Sequence, residues 1–124
     1  MNKRDPKLIA LLFNECINNR DIQGLSNLMT EDHKFIDRQN EVTAPKEKMV
    51  EGWFEFFESF PEYQNYFPKL ESKGDTVIIP GYAIWEIGGE KDHAIWVARV
   101  EDDRVSEWRI FDDTLENRKK LNIR

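Results

Sequence analysis

A chain of 124 residues with 40% hydrophobic content can bury one continuous core and has no room for a second, so a single domain over 1–124 is expected. Its net charge of −6 and isoelectric point near 5.0 set a repulsive field before phosphates, which excludes sequence-independent nucleic-acid binding. No segment approaches a membrane span, and the apolar run 8–13 is too short for the core of an export signal. Cys16 alone cannot close an internal disulfide, and a cytoplasmic protein with a buried, inert thiol is expected.

The chain opens with Asp5 and Pro6, an N-cap followed by proline at the first helical position, and Leu8/Ile9, Leu12/Phe13 and Cys16/Ile17 recur at helical spacing. This predicts a helix over 6–19. Asp21 offers a second N-cap for a shorter stripe of Ile22, Leu25, Leu28 and Met29 ending near Thr30. Residues 33–37 alternate as a short strand, and Thr43 with Pro45 announces a third helix. Its apolar positions, Met49, Val50, Trp53, Phe54, Phe56, Phe57 and Phe60, cover more than half the circumference and predict burial along most of its length, up to the stop at Pro61.

From Tyr63 onward, segments rich in Val, Ile, Tyr and Trp are separated by Lys73-Gly74-Asp75, Gly88-Gly89 and Glu101-Asp102-Asp103. Four strands joined by hairpins are predicted, with a bulge or bend at Pro80-Gly81 that curves the sheet. A last short helix is predicted over 114–121. The architecture is therefore α+β: three N-terminal helices and a short strand packed on a curved, mainly antiparallel four-stranded meander.

That order, together with Ile17-Asn18-Asn19-Arg20-Asp21, the acidic turn before His33, Phe35-Ile36-Asp37 and the ending Val105-Ser106-Glu107-Trp108-Arg109-Ile110-Phe111-Asp112-Asp113, resembles the nuclear transport factor 2-like superfamily over essentially the whole chain. Its SnoaL-like polyketide-cyclase branch is the nearest resemblance. The resemblance implies a cystatin/NTF2-like cone enclosing a pocket, and a homodimer through the outer sheet face, where Ile and Val are expected among charged residues such as Glu86, Arg99, Glu107 and Arg109. It establishes fold and not chemistry.

Ketosteroid isomerase, a relative within that resemblance, uses an Asp at the end of the first strand as general base and two acidic donors as an oxyanion hole. Alignment puts Asp37 at the base position, but Phe13 and Trp96 where the donors belong. Loss of one such donor costs on the order of 10²-fold or more, so steroid isomerisation by that mechanism is disfavoured. Limonene epoxide hydrolase needs an Asp–Arg–Asp set with one Asp two residues after a Trp. Here Trp108 is followed by Arg109 and Ile110, and the other positions fall near Gly81 and Ala83. Polyketide cyclases of this fold place an acid on the last strand, where Asp112 is the nearest candidate.

Two readings stand for each residue. Asp37 is either a base at the pocket mouth or a strand-end carboxylate that caps the next turn. Asp112 either assists it or caps the final helix, a role for which Asp113 competes. Trp96 lies between Ala94 and Ala98 at two-residue spacing, which leaves room beside the indole. Trp96, Trp108, Trp53, Phe13, Phe57 and Ile110 either wall a cavity for a small apolar molecule or fill the cone. A left-handed Asp103 in the hairpin leaves open whether Trp96 and Trp108 share a face. His33 and His93 have no neighbours at ligand spacing and are expected on the surface, with no metal and no cofactor.

Overall fold

The computed structural model describes residues 4–124; the first three residues of the opening segment lie outside them. Helix α1, Pro6–Asn18, starts where expected because the Asp5 carboxylate accepts from Lys7 N at 3.0 Å while Pro6 occupies the first helical position. Helix α2, Ile22–Asn27, is capped by Asp21 Oδ1, which accepts from Gly24 N at 2.9 Å. It ends before Thr30, because Met29 opens strand β1 (Met29–Ile36) and Leu28 O accepts from Val105 N at 2.6 Å. The apolar stripe of α2 thus runs on into a strand.

Strand β2, Val42–Thr43, pairs with the end of β1, so Thr43 belongs to the sheet and helix α3, Lys46–Ser59, begins after Pro45. Helix α3 buries Met49, Trp53 and Phe57 on the face that meets β1. Phe54 is 57% exposed and Phe60 is 41% exposed, so the helix is covered on one side and not around most of its circumference. Phe60 lies past the helix end and packs its ring 5.0 Å from Trp85.

The expected four-stranded meander is realised as three long strands and two short ones. These are β3 (Gln64–Tyr66), β4 (Glu71–Lys73), β5 (Thr76–Ile84), β6 (Asp92–Glu101) and β7 (Arg104–Asp112), in the sheet order β2-β1-β7-β6-β5-β3, with β4 also on β5. Pairing is antiparallel except for β1 with β7, which is parallel. What reads as one strand after Tyr63 is broken at Phe67-Pro68 into β3 and β4, which share one edge of β5.

Pro80 and Gly81 lie where β5 passes between those two partners, and their pairing with Ile95 and Ala94 of β6 is unbroken, so of the expected bulge or bend there is no bulge. Gly81 is required for close approach: a Cβ on it would lie beside the Tyr66 carbonyl oxygen. The sheet's bulge is in β7, where Ser106 is the extra residue between the pairs Arg99–Glu107 and Val100–Val105. Asp102 and Asp103 both have positive φ, 51° and 62°, and close a two-residue hairpin. Beyond the bulge Trp96 pairs with Ile110 and Ala98 with Trp108, so the two tryptophans share the inner face.

Helix α4, Leu115–Lys120, is capped by Thr114, whose hydroxyl accepts from Asn117 N at 3.1 Å; neither Asp112 nor Asp113 takes that role. The tail behind α4 corrects a second expectation. Ile78, Ile95 and Val97 of the outer face are not exposed: they are 4%, 0% and 7% accessible and pack with Phe111, Leu121 and Ile123. The apolar surface on which a homodimer was expected is covered by the chain's own C-terminus. Glu86 lies in the loop after β5 and not on that face.

His33 is also corrected. It is fully buried, with Nδ1 2.7 Å from the Val105 carbonyl oxygen and its ring 5.8 Å from Phe13. His33 lies on the face of β1 that carries Phe35, whose partner Trp108 is on the inner face, while Ile36 pairs with Arg109 on the other face. His93 is exposed.

Candidate functional site

Strand β1 delivers Asp37 to the rim of the cone. Its Oδ1 accepts from Gln39 N and Glu41 N, both at 2.9 Å, and Asn40 follows with a φ of 66°, so the carboxylate closes the turn into β2. The same residue lines a cavity of about 360 Å³. Asp37 therefore caps the turn and stands in the cavity wall at once.

The cavity wall is largely aromatic. Trp96, Trp108 and Ile110 line it from β6 and β7, Trp53, Phe56, Met49 and Gly52 from α3, and Phe35 from β1. Trp85 completes the set, so all four tryptophans of the chain line this space. Ala94 and Ala98, which flank Trp96 at two-residue spacing, pair with Asp112 and Trp108 and are not among the lining residues. The cavity opens where Gln39, Thr43 and Trp85 are exposed.

Phe13 and Phe57 are not among the lining residues. Phe13 is fully buried behind the wall with its ring 4.6 Å from Trp108, and Phe57 stacks at 5.6 Å on Trp53. They hold the lining rings in place.

Polar groups enter at two levels. At the mouth, the Arg38 guanidinium donates to both oxygens of Asp92, at 3.2 and 2.9 Å, and to Asp112 Oδ1 at 3.0 Å. Trp85 Nε1 donates to Asp92 Oδ2 at 2.9 Å, which ties the loop after β5 to the same cluster. Asp112 thus faces Arg38 and is not a lining residue.

Deeper in the cavity lie Tyr63 and Asn65, two residues apart at the start of β3. Burial pushes the Tyr63 hydroxyl far above its usual range, against an opposing pull from the Arg38 charge, so it stays protonated. Asn65 is held to α1 by three hydrogen bonds: Nδ2 donates to Asn14 Oδ1, its backbone N donates to Asn18 Oδ1, and Asn18 Nδ2 donates to its carbonyl. Its side-chain Oδ1 has no partner, and neither does Trp53 Nε1.

Sequence reading reached Asp37 and the three core tryptophans but missed Tyr63, Asn65, Arg38 and Trp85. The signal for the first two was the Tyr-x-Asn alternation opening a strand, which puts both on one face. Arg38 and Trp85 are brought in by turns and loops, whose side-chain directions follow no period. Cys16 lies outside the cavity. It is half-buried, and burial with the nearby Asp21 carboxylate pushes its thiol up to about 11, so it is un-ionised at neutral pH.

No protein-family model and no curated protein matches the sequence. Solved structures do match. An uncharacterised cystatin-fold protein from Novosphingobium aromaticivorans superposes with a TM-score of 0.78 at 17% identity, over 87% of this chain and 98% of its own. A protein assigned to the SnoaL-like polyketide cyclases of Shewanella putrefaciens gives 0.77 at 14% identity, over 94% and 86%. An epoxide hydrolase of the limonene-hydrolase type from Mycobacterium tuberculosis gives 0.76 at 14% identity, over 87% and 82%. The fold is the NTF2-like cone, the one expected from the order of motifs. At these identities the likeness defines the fold alone. No described helix is long and apolar enough to cross a membrane.

Proposed function

We propose that this protein binds a small, predominantly apolar, ring-containing molecule inside the cone, and that Asp37 accepts a proton there in an isomerase-, cyclase- or lyase-type step. The observation that carries the reading is an aromatic cavity of about 360 Å³, open at its mouth, with a single carboxylate in its wall. Small-molecule sites are built this way, apolar in the main with a few converging polar groups.

The turn hydrogen bonds of Asp37 fall on Oδ1, which leaves Oδ2 to meet a substrate proton. An oxygen that gains charge as the proton leaves would find a neutral O–H donor in Tyr63. Asp112 has no part in the chemistry under this reading; with Asp92 it fixes the direction of Arg38. The ketosteroid isomerase donor positions hold Phe13 and Trp96, and Ile110 stands where the epoxide hydrolase needs an acid, so neither of those mechanisms is proposed.

A second reading, ligand binding without catalysis, is favoured by one observation: the carboxylate of Asp37 already closes a turn. Asp37→Asn separates the two, because an amide oxygen keeps both turn bonds while the base is lost. Under the leading reading, affinity for the bound ring compound stays within about three-fold and turnover falls about 10²-fold or more. Unchanged affinity and unchanged turnover would remove Asp37 from the mechanism.

A further inference from the structure

Trp53 is 5% exposed and Asn65 is 3% exposed, both line the cavity, and each holds one buried polar atom without a partner: a donor on Trp53 Nε1 and an acceptor on Asn65 Oδ1. Buried polar atoms are nearly always paired, and an orphan is costly to keep. The hydrogen bond from Asn65 Nδ2 to Asn14 Oδ1 commits the amide nitrogen, so it is the carbonyl oxygen that is left over. A donor and an acceptor left unpaired in the wall of one apolar cavity are complementary to a hydroxyl, which accepts once and donates once.

The mouth sets a second condition. Asp92 and Asp112 engage the Nη atoms of Arg38, and Asp37 lines the cavity beside it. The Arg109 guanidinium donates to Asn40 in the Asp37 turn, so three carboxylates meet two guanidinium groups and the entrance keeps a net negative charge.

We propose that the ligand is an uncharged ring compound with a hydroxyl or enol group at its inner end, its oxygen accepting from Trp53 Nε1 and its hydrogen donated to Asn65 Oδ1, and that carboxylate-bearing compounds are turned away at the mouth. This deepens the cavity-binding reading above and rests on it.

Three probes of one ring system separate the parts: 2-naphthol, naphthalene and 2-naphthoate, titrated calorimetrically into the full chain at pH 7. The expected result is that 2-naphthol binds about ten-fold tighter than naphthalene, two modest hydrogen bonds being worth that much, and that 2-naphthoate binds weakest. In Trp53→Phe, which keeps a ring and removes the N–H, the naphthol-to-naphthalene ratio falls toward one. Equal binding of naphthol and naphthalene to the wild-type protein, or tightest binding of naphthoate, overturns the inference and leaves the cavity reading standing. That comparison needs no variant, so it decides even where Trp53→Phe does not fold. Binding of none of the three counts against the cavity itself and takes the inference with it.

Discussion

The two faces of the β5-β6-β7 sheet are built from the same kinds of residue and end differently. On the outer face, Ile78, Ile95 and Val97 are sealed by Phe111, Leu121 and Ile123. On the inner face, Trp96 and Trp108 are equally inaccessible at the sheet, but α3 stands off far enough that a cavity remains between them. Alternation along a strand says that both faces are apolar. Whether a face becomes a sealed core or a binding cavity depends on what covers it. Outside, two aliphatic side chains of the tail close the surface. Inside, rings from α3, β1, β6 and β7 surround a space that stays open.

Removing a large inner side chain tests that contrast most strongly. Trp108→Ala is expected to cost about 3–5 kcal/mol in urea unfolding, because the indole packs on Phe13 at 4.6 Å and is 1% exposed. A loss under about 1 kcal/mol would mean that the inner wall is loose throughout and not only at the cavity. On the outer face, deletion of residues 121–124 is expected to cost about 2 kcal/mol. It also removes the bonds from Lys73 Nζ to the Leu121 and Asn122 carbonyls. With Ile78, Ile95 and Val97 uncovered, the truncated chain should self-associate in light scattering. A monomer of unchanged stability would show that the tail is not what seals this face.

His33 gives the core a pH dependence. Burial lowers its pKa from 6.5, against the raising effect of the Val105 carbonyl and Asp32, so the unfolded chain takes up the proton first. Stability is therefore full above about pH 6.5 and falls as the pH drops through the window beneath it, with a slope of at most about 1.4 kcal/mol per pH unit. His33→Gln should flatten that slope in denaturant titrations at pH 7 and 5.5; an equal slope in both proteins would assign the effect elsewhere. The smallest effect is Gly52→Ala. A Cβ there meets nothing nearer than Met49 Sδ at 3.7 Å, so the helix should gain about 0.5–1 kcal/mol in thermal or urea unfolding.

Much of the fold was legible because its signals are local. Asp5 and Asp21 cap helices, Asp102 and Asp103 make a tight hairpin, and Trp96 lies on an inner face that lines the cavity. The failures come from partners distant in sequence, from register and from covering. Alternation puts His33 on the face of Phe35 and Asp37, but the Val105 carbonyl oxygen that pairs with it inside lies 72 residues away. One apparent strand is two, because the Tyr66 carbonyl must pass over Gly81 and the chain then turns at Pro68. The closing of the outer face by Leu121 and Ile123 rests on two residues beyond a six-residue helix, too few to show a period. At the site, the strand residues Trp96, Trp108 and Ile110 and the strand-end Asp37 could be read ahead. Arg38, held between Asp92 and Asp112, could not, since its partners lie 54 and 74 residues away.

The central claim, that the cone holds a ring compound, is tested most directly at Gly52. All four tryptophans line the cavity, so intrinsic fluorescence reports its occupation. Gly52→Leu adds a side chain to the lining at a position where the backbone accepts one. Titration of both proteins with ring ketones, hydroxylated naphthalenes and polyketide-like phenols should give a saturable fluorescence change in the wild-type protein and none in Gly52→Leu. The same saturable change in both proteins, or no change in the wild-type protein with any of these compounds, would contradict the account.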